Sequence, residues 1–393
     1  MGAVIASIAR TPIGKFGGAF SSFPATALGG FAISGALERA GLDPDRVDEV
    51  LFGHVIQAGA GQITARQAAV AAGIPMTVPA TTINKVCLSG MTSIAEADLH
   101  IGAGLAGIVV AGGMESMTNA PHLLPKARSG YRYGNGTLVD SLNQDGLFCS
   151  FDHVIMGESS DLKSTELGIG REDQDDWAAR SHHRAHRAMS EGRFDTEIVP
   201  VEVPQRKGDP IVVAADEGVR ADSTADGLGR LRPAFRPDGT TTAGNASQIS
   251  DGAAALVVAG REAAAAAGLP VLAEIVSYGQ TAGPDATLHE RPAQALQIAL
   301  ERAGMAPADL DLVEINEAFA SVAIWSAQML GLDEDKVNVN GGAVALGHPL
   351  GATGARIVVT LINELRRRGG GIGGASLCGG GGQGDALIVT VEA

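Results

Sequence analysis

A thiol, an imidazole, a second thiol and an amide each stand where a strand is expected to end: Cys87, His348, Cys378 and Asn316. In parallel α/β sheets, reactive groups gather at the carboxyl ends of strands. Cys87 lies in Asn-Lys-Val-Cys-Leu-Ser-Gly (84–90), at a predicted junction from strand to helix. The amide dipoles of a helix start stabilise a thiolate, so this setting predicts a lowered pKa and a good nucleophile. The blander reading is a buried structural cysteine, a common fate for an unpaired one. Its partners must decide.

His348 sits in Asn-Gly-Gly-Ala-Val-Ala-Leu-Gly-His-Pro-Leu-Gly-Ala-Thr-Gly (340–354). A histidine can take the proton of a cysteine nucleophile; a turn histidine satisfied by backbone is the alternative. The glycines do not form a phosphate loop, because no Gly-Lys-Ser/Thr follows. Cys378 opens Cys-Gly-Gly-Gly-Gly-Gln-Gly (378–384). A second thiol can work as acid and base, and the amides after it can bind an oxyanion. Asn316, in Glu-Ile-Asn-Glu-Ala-Phe (314–319), can hold a water or donate to an oxyanion, or merely form a turn.

The elements that must position these groups follow from an internal repeat. Ala-Leu-Glu-Arg-Ala-Gly occurs at 36–41 and again at 299–304. In each copy an apolar-periodic helix closes on a glycine, Gly41 or Gly304, as a left-handed cap. A short connection and an apolar strand follow, at 46–51 and 309–314. The copies then run in parallel: an extended stretch at 81–84 leads through Cys87 into a helix from about 88 to 100, and one at 337–340 leads past His348 into a helix from about 353 to 368. Further strands are expected at 108–111 and 375–378, each followed by glycines. Asn316, His348 and Cys378 would then fill places that the first copy gives to Gly53, Cys87 and Ala111 or their neighbours. Strands alternating with helices imply two α/β units with parallel sheets.

The segment 120–244 has no counterpart and reads as an insert, with a helix from about 172 to 190 and Gly192 after it. The divisions fall at 1–119 with 245–270, at 120–244, and at 271–393.

Composition narrows the function. At 393 residues, 45% of them hydrophobic, the chain can bury more than one core. A net charge of −15 excludes a nucleic-acid binder. The insert and its edge, 120–249, nonetheless hold 15 of the 29 Lys and Arg, so an anionic substrate is expected there. Three cysteines far apart suggest neither disulfides nor a zinc ribbon, and no segment has the ~18 apolar residues of a membrane span. A reduced, cytoplasmic protein is expected. Gly-Ala-Gly-Leu-Ala-Gly (102–107) fits a dinucleotide motif by letters, but it follows a helix and precedes a strand, the reverse of what cofactor binding needs. His182, His183 and His186 have helical metal-site spacing without acidic or thiol ligands, and are read as a solvated helix face.

Taken together, the segments at 84–90, 112–121, 242–247, 250–254, 316–319, 338–354 and 378–384 resemble those of the thiolase family, over nearly the whole chain. The resemblance implies an α/β fold with two repeated halves in a five-layer α-β-α-β-α core, carrying an inserted loop domain that binds coenzyme A. It implies reversible condensation of two acetyl-CoA to acetoacetyl-CoA and coenzyme A, with coenzyme A as substrate and product and no metal or redox cofactor. Cys87 would be acylated, with His348 as its base. Cys378 would move the methyl proton, and Asn316 would hold a water at the thioester oxygen. The backbone amides of Cys87 and Gly380 would form an oxyanion site. Arg220, Phe235, Ala243 and Ser247 would contact coenzyme A, while Met156, Leu288, Ala318 and Phe319 border the acyl group. A homo-oligomer, dimer or tetramer, is implied.

Two departures from the family pattern bear on specificity. Ile155 replaces a common histidine, and Leu-His-Glu-Arg-Pro (288–292) replaces Met-Gly-x-Gly-Pro beside the acyl pocket. A thiolase for longer 3-ketoacyl chains is the alternative within the family. Ketoacyl synthases normally carry two histidines where this chain has His348 and Cys378. A noncatalytic acyl-CoA-binding protein is the alternative outside enzymes.

Overall fold

The structure, a computed structural model, describes residues 2–392. Both copies of the repeat form the expected unit. Helix α1 (Ala25–Ala40) ends on Gly41 at φ 62°, and helix α6 (Arg291–Ala303) ends on Gly304 at φ 67°. Each glycine amide and the one after it bond back to the last turn, the pairing that a left-handed cap provides. Strands β2 (Glu49–Gly53) and β7 (Leu312–Ile315) follow as predicted.

The other long strands of the main sheet are β1 (Val4–Arg10), β3 (Ala80–Ile83), β4 (Ile108–Ser116), β5 (Ser250–Ala259), β6 (Ala273–Ala282), β8 (Gly371–Gly379) and β9 (Gln383–Val391), and the short strand Gly14–Lys15 pairs antiparallel with β5 off their path. The long strands run in the order β7-β8-β9-β6-β1-β5-β4-β2-β3. Among the described residues the two halves of this sheet join through two pairs, Val4–Glu274 and Ile5–Ala273, at the β1–β6 seam. The expectation of parallel sheets is corrected. Only β2–β3, β2–β4 and β7–β8 are parallel; the others, β4–β5, β1–β5, β1–β6, β6–β9 and β8–β9, are antiparallel. A hairpin explains part of this: Gly379 pairs with Gln383, and so tight a turn can only reverse the strand.

Helices sort onto three levels because the strands are apolar on both faces. Val50 and Phe52 face α1 and α2 (Thr64–Ala71) outside the N-terminal half, and Val313 and Ile315 face α6 and α7 (Ala320–Met329) outside the C-terminal half. Leu51 and Leu312 point inward, to a shared middle layer of α3 (Ser89–Gly102) and α8 (Leu350–Arg367). The five levels are the expected α-β-α-β-α core.

Those two middle helices pack closely. A Cβ at Gly90 would lie 2.8 Å from Ala355 N and 2.9 Å from Gly351 O, and one at Gly354 would collide with Met91 N. Close approach brings the two helix starts, with Cys87 and His348 just before them, to one place.

Several local expectations shift. The extended run at 337–340 is no strand: it makes a single bridge, Val337 with Val313. Asn338, at φ 47°, bonds the Ile315 amide and carbonyl through its own side chain and so replaces the ladder. Strand β4 extends through Gly112 and Gly113, the glycines expected to follow it, whereas β8 stops at Gly379 and the next three glycines form the turn into β9. The segment 120–244 contains α5 (Arg171–Ser190), as expected, and an unforeseen helix, α4 (Met156–Leu167). His182 is buried and accepts the Arg220 amide at 3.1 Å, which corrects its placement on a solvated face.

Candidate active site

The segment 84–90 builds a tight turn from its own side chains. Asn84 Oδ1 accepts from Val86 N at 3.1 Å, and Ser89 Oγ accepts from Lys85 N and donates to Val86 O. Val86 is thereby held at φ 51°, a left-handed conformation uncommon for a β-branched residue. Lys85 Nζ reaches Asp385 on β9 at 2.7 Å, so the Cys87 turn is tied to the hairpin that carries Cys378. Cys87 presents its sulfur to the amides of Gly380 and of Cys87 itself.

His348 is set by a different device. Its amide donates to Gln248 O at 3.1 Å, and its Nδ1 lies 2.7 Å from Thr353 Oγ1. That hydroxyl already donates to Pro349 O at 2.9 Å, so it can only accept from the imidazole. Nδ1 therefore carries the proton in the neutral ring, and Nε2 keeps a free lone pair. Asn316 Nδ2 stands 3.5 Å from that Nε2, while Asn316 Oδ1 is buried without a partner among the described residues.

Cys87, His348 and Cys378 line one cavity of ≈ 60 Å³ together with Met156, Ser247, Leu288, Ala318, Phe319 and Gly380. A larger channel of ≈ 460 Å³ opens from it, sharing Met156, Ser247, Phe319 and His348 and adding Arg220, Phe235 and Ala243. The residues singled out in the sequence thus converge, Asn316 sitting behind His348 rather than on the cavity wall. Phe235 stands edge-on to Phe319 at 6.3 Å between ring centres. Ile155 lies on the channel wall where the family pattern has a histidine.

Burial governs the protonation states. It pushes Cys87 up to about 12, against the partial relief of the Gly380 and Cys87 amides. The expected lowering by the helix start is therefore corrected: desolvation of a sulfur one residue ahead of the α3 cap outweighs the dipole. Burial, and then the neighbouring Cys87, hold Cys378 above the usual thiol range. His348 is pushed down to about 3 by burial and by Arg356. At neutral pH the site rests as two thiols and a neutral imidazole whose free nitrogen can accept a proton.

Buried carboxylates that spacing did not reveal hold this frame. Glu115 accepts from Val55 N, Ile56 N and Gly351 N, at 3.1, 3.1 and 2.9 Å. Glu317 accepts from Trp177 Nε1, Ser181 Oγ, Asn338 Nδ2 and Val344 N, tying α5 to the C-terminal half. Both lie inside segments already quoted, and the available signal was an acid within an apolar run, alone for Glu115 and shared with buried Glu314 for Glu317.

A layered core whose two halves share one thiol–imidazole–thiol cavity defines the thiolase class. The chain matches the thiolase N-terminal domain over residues 3–262 and the thiolase C-terminal domain over 269–391, and belongs to that family. It is 54% identical over 386 residues to a probable acetyl-CoA acetyltransferase of Mycolicibacterium smegmatis, covering 98% of this chain and 100% of that protein. It is 51% identical to an acetyl-CoA acetyltransferase of Cupriavidus necator, over 98% of each. The crystal structure of the Bacillus anthracis acetyl-CoA acetyltransferase superposes with a TM-score of 0.96 at 44% identity, covering 99% of this chain and 98% of that one.

Proposed function

We propose that this chain is an acetyl-CoA C-acetyltransferase that reversibly condenses two acetyl-CoA to acetoacetyl-CoA and coenzyme A. The observation that carries this reading is the convergence of Cys87, His348 and Cys378 on one small cavity at the end of a channel. The relatives' names agree with it.

His348 Nε2 takes the Cys87 proton as the sulfur attacks the acetyl carbonyl. The carbonyl oxygen becomes an oxyanion against the amides of Cys87 and Gly380. Coenzyme A leaves as a thiolate and takes the Cys378 proton. Acylated Cys87 can no longer ionise, so no thiolate beside it opposes the ionisation of Cys378. The Cys378 thiolate removes a methyl proton from the second acetyl-CoA, and its thioester oxygen, now enolate-like, faces protonated His348 beside Asn316. The enolate carbon attacks the acetyl-Cys87 carbonyl. The departing Cys87 sulfur recovers its proton from His348, which closes the cycle.

A small cavity favours the short-chain reaction over cleavage of longer 3-ketoacyl chains. Free Cys87 and Cys378 need reducing surroundings, which supports a cytoplasmic enzyme. The family resemblance supports a dimer or tetramer, checked by light scattering on the purified protein. Labelled acetyl-CoA mixed with the enzyme should leave a thioester on Cys87, read by peptide mass spectrometry. An unlabelled Cys87 would overturn the proposal and favour a binding role.

A further inference from the structure

Three chain segments meet at the acyl cavity: the loop after β6, which supplies Leu288; the first residue of α4, Met156; and Phe319, which precedes α7. Next to Leu288, His289 is 1% exposed and wedged between the two helices. Its Nε2 lies 3.0 Å from Ser321 Oγ on α7 and 3.2 Å from Ser164 Oγ on α4. Its carbonyl accepts from Ser326 Oγ at 2.9 Å. One imidazole thus bonds to both helices that bring the facing walls. Its Nδ1 is buried with no partner among the described residues, a cost that an apolar residue or glycine would avoid. What the ring gains is at Nε2. Arg291 reaches back across Leu288 to close the loop, through Asp285 Oδ1 at 2.7 Å and Thr287 O at 3.2 Å. Leu288 is therefore pinned from both sides over a cavity of ≈ 60 Å³, well under the roughly 150 Å³ that admits a benzene ring.

We propose that His289 is a positioning residue that sets the acyl-length limit, by locking Leu288, Met156 and Phe319 into one closed frame that takes acetyl and acetoacetyl groups and rejects medium-length 3-ketoacyl chains. This rests on the acyltransferase reading above.

The test compares thiolysis of acetoacetyl-CoA and 3-ketooctanoyl-CoA. In His289→Gly, kcat/KM for the longer substrate should rise, moving the ratio about tenfold in its favour. His289→Gln keeps a bonding atom near the Nε2 position and should return the ratio to within about threefold of wild type. Loss of structure alone would lower both substrates, so no gain on the longer one overturns the proposal. If His289→Gly does not fold, the pair Ser164→Ala with Ser321→Ala cuts the same contacts from the helix side. A gain of about threefold is expected there, and no gain overturns the proposal equally. A wild type inactive on acetoacetyl-CoA would instead remove the acyltransferase reading, and this inference with it.

Discussion

In the N-terminal half the strand end at Gly53 carries no side chain, and a Cβ there would lie 2.6 Å from Gly351 O. The matching end of β7 in the C-terminal half carries Asn316, beside His348. Strand register fixes the correspondence: Phe52 pairs with Gly112 as Ile315 pairs with Ser376, so Gly53 matches Asn316 and Met114 matches Cys378. Within the neighbourhood of Ala111 that the sequence indicated, Met114 is the counterpart, and it packs into the outer core under α1. Cys87 and His348 themselves stand at equivalent helix starts. The comparison teaches why a duplicated scaffold holds one site and not two. Each half offers the same backbone addresses: at the two strand ends the N-terminal half packs with Gly53 and Met114 where the C-terminal half carries Asn316 and Cys378, and only at the helix start do both halves carry a reactive group.

The sharpest way to break this comparison is to remove the one reactive group of the N-terminal half. Cys87→Ala should lower thiolysis by about 10⁴ or more, with no acyl label in mass spectrometry. Its counterpart, His348→Asn, should cost about 10³ in kcat, because the proton acceptor is lost while the channel stays formed. Cys378→Ser should slow exchange of the acetyl-CoA methyl proton, followed by NMR, by about 10³. Acylation of Cys87 should fall by no more than about tenfold, since His348 can reprotonate the leaving sulfur. Equal losses in both steps would contradict the division of labour.

Smaller effects test the packing side. Gly53→Ala pushes a methyl against Gly351 O and Gly90 N and should destabilise the fold by about 1–3 kcal/mol in urea denaturation. Asn316→Gly should cost activity with less loss of stability. An effect of similar size concerns pH. His348 is held at about 3 when folded, against about 6.5 when unfolded, so the unfolded chain binds a proton first as pH falls. Its contribution is present above the unfolded value and is lost on acidification towards the folded one. Between pH 7 and 5, His348→Asn should therefore lose about 2 kcal/mol less stability than wild type. An equal loss in the two proteins would mean that His348 is not buried as described.

Much of this arrangement was legible in the sequence because the repeat and its glycine caps mark the scaffold, and the reactive residues punctuate it. The rest was hidden for identifiable reasons. Helix α4 is rich in serine, and Ser159, Ser160 and Ser164 are buried, so no apolar stripe announces it. The missing strand at 337–340 depends on the Asn338 side chain bonding to β7, which no periodicity encodes. The Cys87 pKa misled because a helix start is visible in sequence and the depth of burial is not. His182 misled in the same way: its partner, the Arg220 amide, is brought to it only by folding.

The Glu115 carboxylate has a consequence for how the enzyme can be assembled. It belongs to the N-terminal half, yet it anchors the opening turn of α8, directly after His348, through Gly351 N. A C-terminal fragment from 269 onward would contain His348, Asn316 and Cys378, and still have no seat for the His348 imidazole. Fragment complementation should therefore restore turnover only when the two pieces fold around each other, and late mixing of separately refolded pieces should leave the catalyst inert.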